Sequence, residues 1–541
     1  MLSLPCGFLL ECALAHCGHS VAGPTSPARI LASMLPSFRG PWYTTDHGIS
    51  AQDPVVQCRN SVESPVTMSL HSHASKSTAV RALAPADRIA ALADPGSVGP
   101  VDASFESARP SPHLARWGIN ARDDDGVVIA RATIDGARVL FAAQDNRFLG
   151  GSAGANHADA LRRLFEVARA ERPACVVLLA ASGGVRLHEA NAAEWALARA
   201  VAALLELRIS GVPVLTVGVG DVFGGTSVLA CAAERIALVS GVRLGLSGPA
   251  VIEMAKGRSE LDATDTAAIA AVFGAAARAT TGQVDELPDS ADAICRYIVR
   301  FLGEPSPFGT WVETTQERLA ARLEEAPEAI VLPPLPQNLA PLYEDARPGE
   351  REGWLRRVGV ATSLCRPIGA GTFGPSEAHS LDAALLEDFA SIEVPYDRML
   401  VLLDDSSGHE VSRQAEALCV SQFLAQHAAV LAWLRSRGVR LRGVLTGLGH
   451  SAEFFSHVLQ APEATALAGA RVVAMDPAAI ARVTRLPERE LAAMIENDSL
   501  LGHPVRHFAH WAGWGELLPD DDTDRLRAFV LNPQLAPRDP R

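Results

Sequence analysis

The chain has 541 residues, 48 % of them hydrophobic and 20 % charged, with a formal net charge of −14. That length allows about three domains, fewer where large α/β units occur. The acidic balance offers no broad basic face for nucleic acid or an anionic membrane, and no apolar run approaches the ~20 residues that span a bilayer.

Only Lys76 and Lys256 are lysines, and neither lies in a Met-Lys-Met context, which argues against biotin carried on this chain. The nine cysteines include no C-x-x-C pair. They read as free thiols of a reducing cytoplasm, with no zinc or other metal site.

Residues 1–67 lack periodicity. Met1–Ala22 is mildly apolar but has no basic start and carries Glu11 and His16, so it is a poor signal peptide. The segment reads as a disordered leader or a mis-assigned start, with Met68 the candidate natural start. A first domain is expected over 68–310. In it, Val127–Thr133 and Ala137–Ala143 flank Asp135-Gly136 as a β-hairpin, and a helix follows from about Asn156 to Ala170.

The apolar run Ala174–Ala181 then feeds SGGVRLHEAN (Ser182–Asn191), and a helix-like run, Glu189–Leu207, leaves it. This is strand, glycine turn, helix. Adjacent glycines expose backbone N–H groups, and a helix start adds unpaired ones, so the place can hold a developing oxyanion. On these ten residues alone it reads first as a tight turn of any α/β protein. Arg186 and Glu189 either pair to hold the turn or form a solvated salt bridge of little worth.

The pattern continues with a strand at Val212–Val219, a glycine turn at Gly220–Ser227, a helix at Ser227–Ala233, a strand at Arg235–Val239 and a helix starting at Pro249. Residues 311–350 are Pro-rich and weakly periodic, as a linker is. A second domain is expected over 351–541. It has a strand at Met399–Leu403, a turn at Asp404–His409 and one long helix, Glu410–Ser436. Gly443–Thr446 closes another strand, Gly447–Ser451 is a second turn, and the strand Ala470–Met475 leads to Asp476–Ile480. His409 and Glu410 read by default as residues of a helix start.

The two halves align. Gly184 to Gly225 is 41 positions and Gly408 to Ser451 is 43, while Gly225 to Pro249 is 24 and Ser451 to Pro477 is 26. The spacing predicts a tandem duplication of one βα-rich unit, each with two strand–turn–helix junctions converging on a site between the halves. Such paired amides suit an enolate, for which no nucleophile is needed, and no nucleophile elbow, H-E-x-x-H or P-loop is expected.

At this point the residues resemble a known family. GGVRLHEAN, GDVFGGTSVLACAAERIALVSGVRLGLSGPAVIE, LDATD and Thr281–Asp285 resemble the β subunit of biotin-independent malonate decarboxylase. SGHEVSRQAEALCVSQFLAQHAAVLAWLRSRG, GLGHSAEFF and VVAMDPAAIARVTRLP resemble its γ subunit. The resemblance covers about residues 120–300 and 380–515. It implies an α/β fold of two tandem crotonase-fold, carboxyltransferase-type units, a β–γ fusion in one chain.

The implied reaction is decarboxylation of malonyl-S-acyl carrier protein to the acetyl form. No cofactor would be bound covalently, and the chain would act on the phosphopantetheine-type group of a separate acyl carrier protein. An acetyl/malonyl transferase subunit would be a further partner in a multi-subunit cytoplasmic complex, with no nucleic acid and no membrane.

Carried onto this sequence, the resemblance makes the amides of Gly184 and Val185 one oxyanion site and those of Ser451 and Ala452 the other. Gly183, Gly224, Gly225 and Thr226 would line the prosthetic-group channel, with Phe223 on its wall. His450 would protonate the acetyl enolate or orient the thioester; packing is its other reading. The family's γ turn reads His-Ser-Gly, so Ala452 is a departure, strained if that position needs positive φ.

Two alternatives share these features. One is a biotin-dependent acyl-CoA carboxyltransferase of the same fold. The other is a non-catalytic scaffold, for which Ala452 is the supporting feature. Asn497-Asp498-Ser499-Leu500 contains the Asp-Ser-Leu of an acyl carrier, but no carrier-like four-helix pattern surrounds it, and it reads as coincidence.

Overall fold

A computed structural model describes residues 78–101, 109–323, 339, 354–358, 362–365, 372–390 and 398–531. The leader expected over 1–67 lies outside the described residues.

The first half is built on β1 (Val127–Ile134), β2 (Ala137–Gln144), β3 (Cys175–Ser182), β4 (Val214–Val222), β5 (Arg235–Val239) and β6 (Asp285–Leu287), in the order β1-β2-β3-β4-β5-β6. The predicted hairpin is present: β1 and β2 are antiparallel, and Asp135 and Gly136 have φ of 50° and 76°, the left-handed pair that a two-residue hairpin turn needs. The remaining strands pair in parallel. Every residue of β3 is buried, as in a parallel sheet covered on both faces.

The second half holds β7 (Leu355–Val358), β8 (Thr362–Cys365), β9 (Met399–Asp404), β10 (Arg440–Leu445), β11 (Leu448–His450), β12 (Glu463–Ala466) and β13 (Arg471–Val473). Its main sheet runs β12-β10-β9-β8-β7, with β11 and β13 forming a separate pair. The duplication shows at this level. An antiparallel hairpin, β1–β2 or β7–β8, is followed by parallel strands in matching order, with matching helices between them. Helices Ala155–Glu171, Ala190–Ile209 and Gly225–Cys231 correspond to Pro375–Ala390, Val420–Ser436 and Ser451–Ser456. The fold is thus two tandem α/β units of crotonase type, and the halves share one hydrophobic core in which Leu197 and Val201 belong to the same cluster as Phe423 and Phe454.

Three expectations change. The turn expected at Gly447–Ser451 holds a short strand, β11, paired in parallel with β13. The helix predicted over Glu410–Ser436 is two helices, Arg413–Ala417 and Val420–Ser436, broken at Cys419, which has φ 63°. Ser412 caps the short one by accepting the N–H of Ala415, and that piece delivers Glu416 to the first half. The linker expected from residue 311 does not begin there. A helix spans Phe308–Leu323, and its buried Trp311, Val312 and Leu319 fix it in the shared core.

Candidate functional site

The glycine turn after β3 is held from below. Ser182 Oγ donates to Gly151 O (2.6 Å) and accepts the N–H of Gly184 (3.2 Å). Gly184 has φ 100°, and a Cβ there would meet Gly224 Cα at 3.0 Å. The two glycine turns therefore touch backbone to backbone, and alanine fits at neither.

The second half repeats the device. Ser406 Oγ accepts the N–H of Gly408 (2.9 Å), and Gly408 has φ 98°. Ala153 takes Gly184 O and supplies its own carbonyl to Arg186 N–H (2.8 and 2.9 Å); Phe373 does the same for Gly408 and Glu410 (2.8 and 3.1 Å). Val185 and His409 thus hold equivalent places.

Arg186 settles its two readings. It bonds Asp125 at 2.6 Å and Glu189 at 2.9 Å, with all three side chains fully buried. The pair is no solvated bridge but the centre of a network beneath the turn. Glu189 also accepts Ala155 N–H (2.9 Å) and the Ser111 hydroxyl (2.8 Å). Burial raises the Asp125 carboxyl to about 6 although Arg186 pulls it down.

A cavity of about 670 Å³ lies between the halves. Of the residues singled out from sequence, Gly183, Val185, Phe223, Gly224, Gly225, His450, Ser451 and Ala452 line it, whereas Gly184 and Thr226 do not. The Gly184 amide is already taken by Ser182. Thr226 is 1 % exposed, with its hydroxyl 3.0 Å from Ser182 Oγ, so it faces the core and not the channel. Gly183 N–H is spent on Gly150 O (3.0 Å). Among the described residues, the N–H groups of Val185 and Ala452 have no acceptor. Positive φ falls on Ser451, at 57°, and not on Ala452, so the alanine replacing the family glycine is unstrained.

His450 is oriented by Ser407, whose carbonyl lies 2.7 Å from Nδ1. A carbonyl only accepts, so Nδ1 carries the proton and Nε2 is the bare nitrogen. Burial lowers its pKa, which keeps the ring neutral. Such a ring accepts a proton at Nε2 and is a poor acid at neutral pH, contrary to the expected acid role.

Two acids of the site, Glu416 and Glu194, escape the sequence reading, and His409 is not at a helix start, since the helix begins at Arg413. His409 lines the cavity, and its Nε2 is 2.9 Å from Ser247 Oγ, from the other half. Glu416 holds the Leu246–Ser247 segment, accepting Leu246 N–H (3.1 Å) and Ser247 N–H (2.5 Å) across the halves. Glu194 lines the cavity at 2 % exposure. Its signal was available: it is the one acid in the first turns of a helix apolar on nearly every face, where a carboxyl has to be buried.

One string runs against expectation and another carries less than its letters. GGSAG at 150–154 matches a nucleophile-elbow pattern, but Ser152 Oγ donates to Leu149 O (2.8 Å) and does not line the cavity. Asp498 accepts Leu500 and Leu501 N–H in its own turn, and Asn191 Nδ2 donates to Ser499 O and Gly502 O, so that segment docks against the glycine-turn helix. Among the described residues no cluster of three or more His, Cys, Asp or Glu could hold a metal, and no helix is long and apolar enough to cross a membrane.

Two crotonase-type units that face each other across one amide-lined cavity define a carboxyltransferase-like protein. Residues 81–299 match the carboxyl transferase domain, and residues 370–536 match the malonate decarboxylase gamma subunit. The chain is 32 % identical over 228 residues to the malonyl-S-ACP:biotin-protein carboxyltransferase of Malonomonas rubra, covering 38 % of this chain and 69 % of that one. It is 36 % identical over 194 residues to the acetyl-coenzyme A carboxylase carboxyl transferase subunits beta/alpha of Salinispora tropica, 33 % of each, so it spans about a third of that relative's length. Among solved structures, a chain of a Pseudomonas malonate decarboxylase hetero-tetramer in complex with malonate is 31 % identical, covering 47 % of this chain and 94 % of that one, with a TM-score of 0.42. The chain belongs to the carboxyltransferase family, as a fusion of malonate decarboxylase beta-like and gamma-like units.

Proposed function

We propose that the chain decarboxylates malonyl held as a thioester on the phosphopantetheine-type group of a separate acyl carrier protein, releasing CO2 and acetyl-carrier. The observation that carries this reading is the cavity between the halves, where Val185 from one half and Ala452 from the other present amides without acceptors.

Loss of CO2 puts negative charge on the thioester oxygen. Fixed N–H donors bind that oxygen more tightly than the neutral carbonyl, each worth on the order of 3 kcal/mol. The walls near the amides are largely apolar, with Phe223, Leu246, Val251, Met254 and Phe455 among them. A dry wall disfavours the substrate carboxylate, whose charge is lost in the step. The volume is in the range of sites that take the end of such an arm. A cytoplasmic complex with the carrier and an acetyl/malonyl transferase belongs to the same reading.

The similarity to the Malonomonas rubra protein favours a second reading, carboxyl transfer to biotin on a partner. The scaffold reading loses its support, since Ala452 has no positive φ. Purified chain with malonyl-loaded carrier and excess avidin decides between the enzymes. Equal yields of CO2 and acetyl-carrier are expected. Turnover only with a biotinylated acceptor would establish transfer, and no turnover in either assay would overturn both.

A further inference from the structure

Glu194 lines the cavity from near the start of helix Ala190–Ile209, and it carries a buried carboxyl. Among the described residues no hydrogen bond or ion pair involves it, and Oε2 is sealed off without a partner. The groups facing it do not favour its ionisation. From helix Ser451–Ser456 comes Glu453, another fully buried carboxyl, and the two interact. Around the cavity are His409 and His450, both driven neutral by burial, and Arg243, which is committed to Asp221 at 2.5 Å. Asp476, also on the lining, caps its helix through Ala478 N–H (2.8 Å). A carboxyl so placed keeps its proton, and burial raises it to about 8.

We propose that Glu194 is the proton donor to the carbon from which CO2 departs. The proposal rests on the decarboxylase reading and assigns the step that His450, with its one proton held on Ser407 O, is unsuited to perform. The Cα–carboxyl bond breaks and its electron pair passes into the enolate. That pair then forms a Cα–H bond with the Glu194 proton, leaving acetyl thioester and a Glu194 carboxylate. Water admitted to the cavity returns one proton to Glu194, so each turnover consumes one proton and needs no oxidant or reductant.

The test uses the full chain, malonyl-loaded carrier, and the variants Glu194→Gln and Glu194→Leu. Glutamine keeps the shape without an acidic proton; leucine suits the apolar surroundings and guards against a misfolded first variant. Both are expected to fold, to lose about 100-fold or more in kcat, and to keep KM within about twofold. Wild-type kcat is expected to fall as pH rises through the Glu194 titration, and the residual rate of the variants to lack that alkaline limb. A structural role would lower kcat and leave the limb in place. Either folded variant keeping kcat within about threefold, or keeping the limb, overturns the proposal while the decarboxylase reading stands. A wild type that releases no CO2 overturns the reading and the proposal together.

Discussion

Gly184 and Gly408 hold the same turn in the two halves, with φ of 100° and 98° and each N–H on the hydroxyl of the serine two residues earlier. The equivalence makes a paired prediction. In Gly184→Ala the new Cβ meets Gly224 Cα at 3.0 Å, and in Gly408→Ala it meets His450 Nδ1 at 3.0 Å. Left-handed backbone costs about 1–2 kcal/mol for an L-residue, and crowding adds about 1–3 kcal/mol. Urea titration of each variant should show a lower midpoint with an unchanged slope, and turnover should fall in both.

Arg186 is the next point of failure. Arg186→Met leaves Asp125 and Glu189 as buried carboxylates without their cation. Breaking such a pair from one side costs about 3–5 kcal/mol. Denaturant unfolding measures this directly; a change below about 1 kcal/mol is what a solvated surface bridge would give.

His157 provides a pH test of the same support. It is fully buried; Nδ1 lies 3.1 Å from Asp125 O, and Nε2 lies 3.0 Å from Gln144 Nε2. Burial, aided by Arg186, pushes it down to about 3. Between that value and the unfolded value near 6.5 the unfolded chain binds the extra proton. The contribution of His157 is therefore full above about pH 6.5 and is lost as pH falls toward 3. From pH 7 to about 5.5, wild type should lose about 1 kcal/mol more unfolding free energy than His157→Gln.

Charge at the cavity rim gives a prediction about the carrier. Lys256 follows the lining residue Ala255, and Arg482 is one turn past the lining residue Ala478. Both are exposed, and among the described residues neither has an ion pair. For an acidic carrier, Lys256→Glu and Arg482→Glu should each raise KM about three- to tenfold with kcat unchanged. The effect should shrink in high salt, as a screened contact does.

The parts of the fold legible in sequence are those fixed by short-range rules. Asp135-Gly136 announced its hairpin because only such residues take two left-handed angles in succession. The duplication was legible because turn spacing survives even where side chains differ. The break at Cys419 was hidden because apolar residues continue through it at helical spacing, while the turn depends on Glu416 reaching Leu246 and Ser247 in the other half. Phe308–Leu323 was obscured by neighbouring prolines, although Trp311 and Leu319 bury it.

At the site, the glycine turns marked the right place and included the amides of Val185 and Ala452, but not the fact that the Gly184 amide is already taken. Which N–H is free depends on Ser182 taking that of Gly184, a tertiary fact. Sequence made strain at Ala452 conditional on positive φ there, and the backbone has its positive φ one residue earlier, at Ser451. Glu194 went unread, and His409 was read only as a helix start, because their importance lies in which cavity they face.

The central claim is that amides from both halves stabilise the enolate of a malonyl thioester. Ala452→Pro tests it, because proline removes the N–H in the first turn of helix Ser451–Ser456, and Ala452→Gly keeps that N–H. The measurement is CO2 released from malonyl-loaded carrier by wild type and both variants, each shown to be folded. Ala452→Pro should be slower than wild type by about 10²–10³-fold, with Ala452→Gly close to wild type. A folded Ala452→Pro that releases CO2 within about threefold of the wild-type rate would contradict the claim.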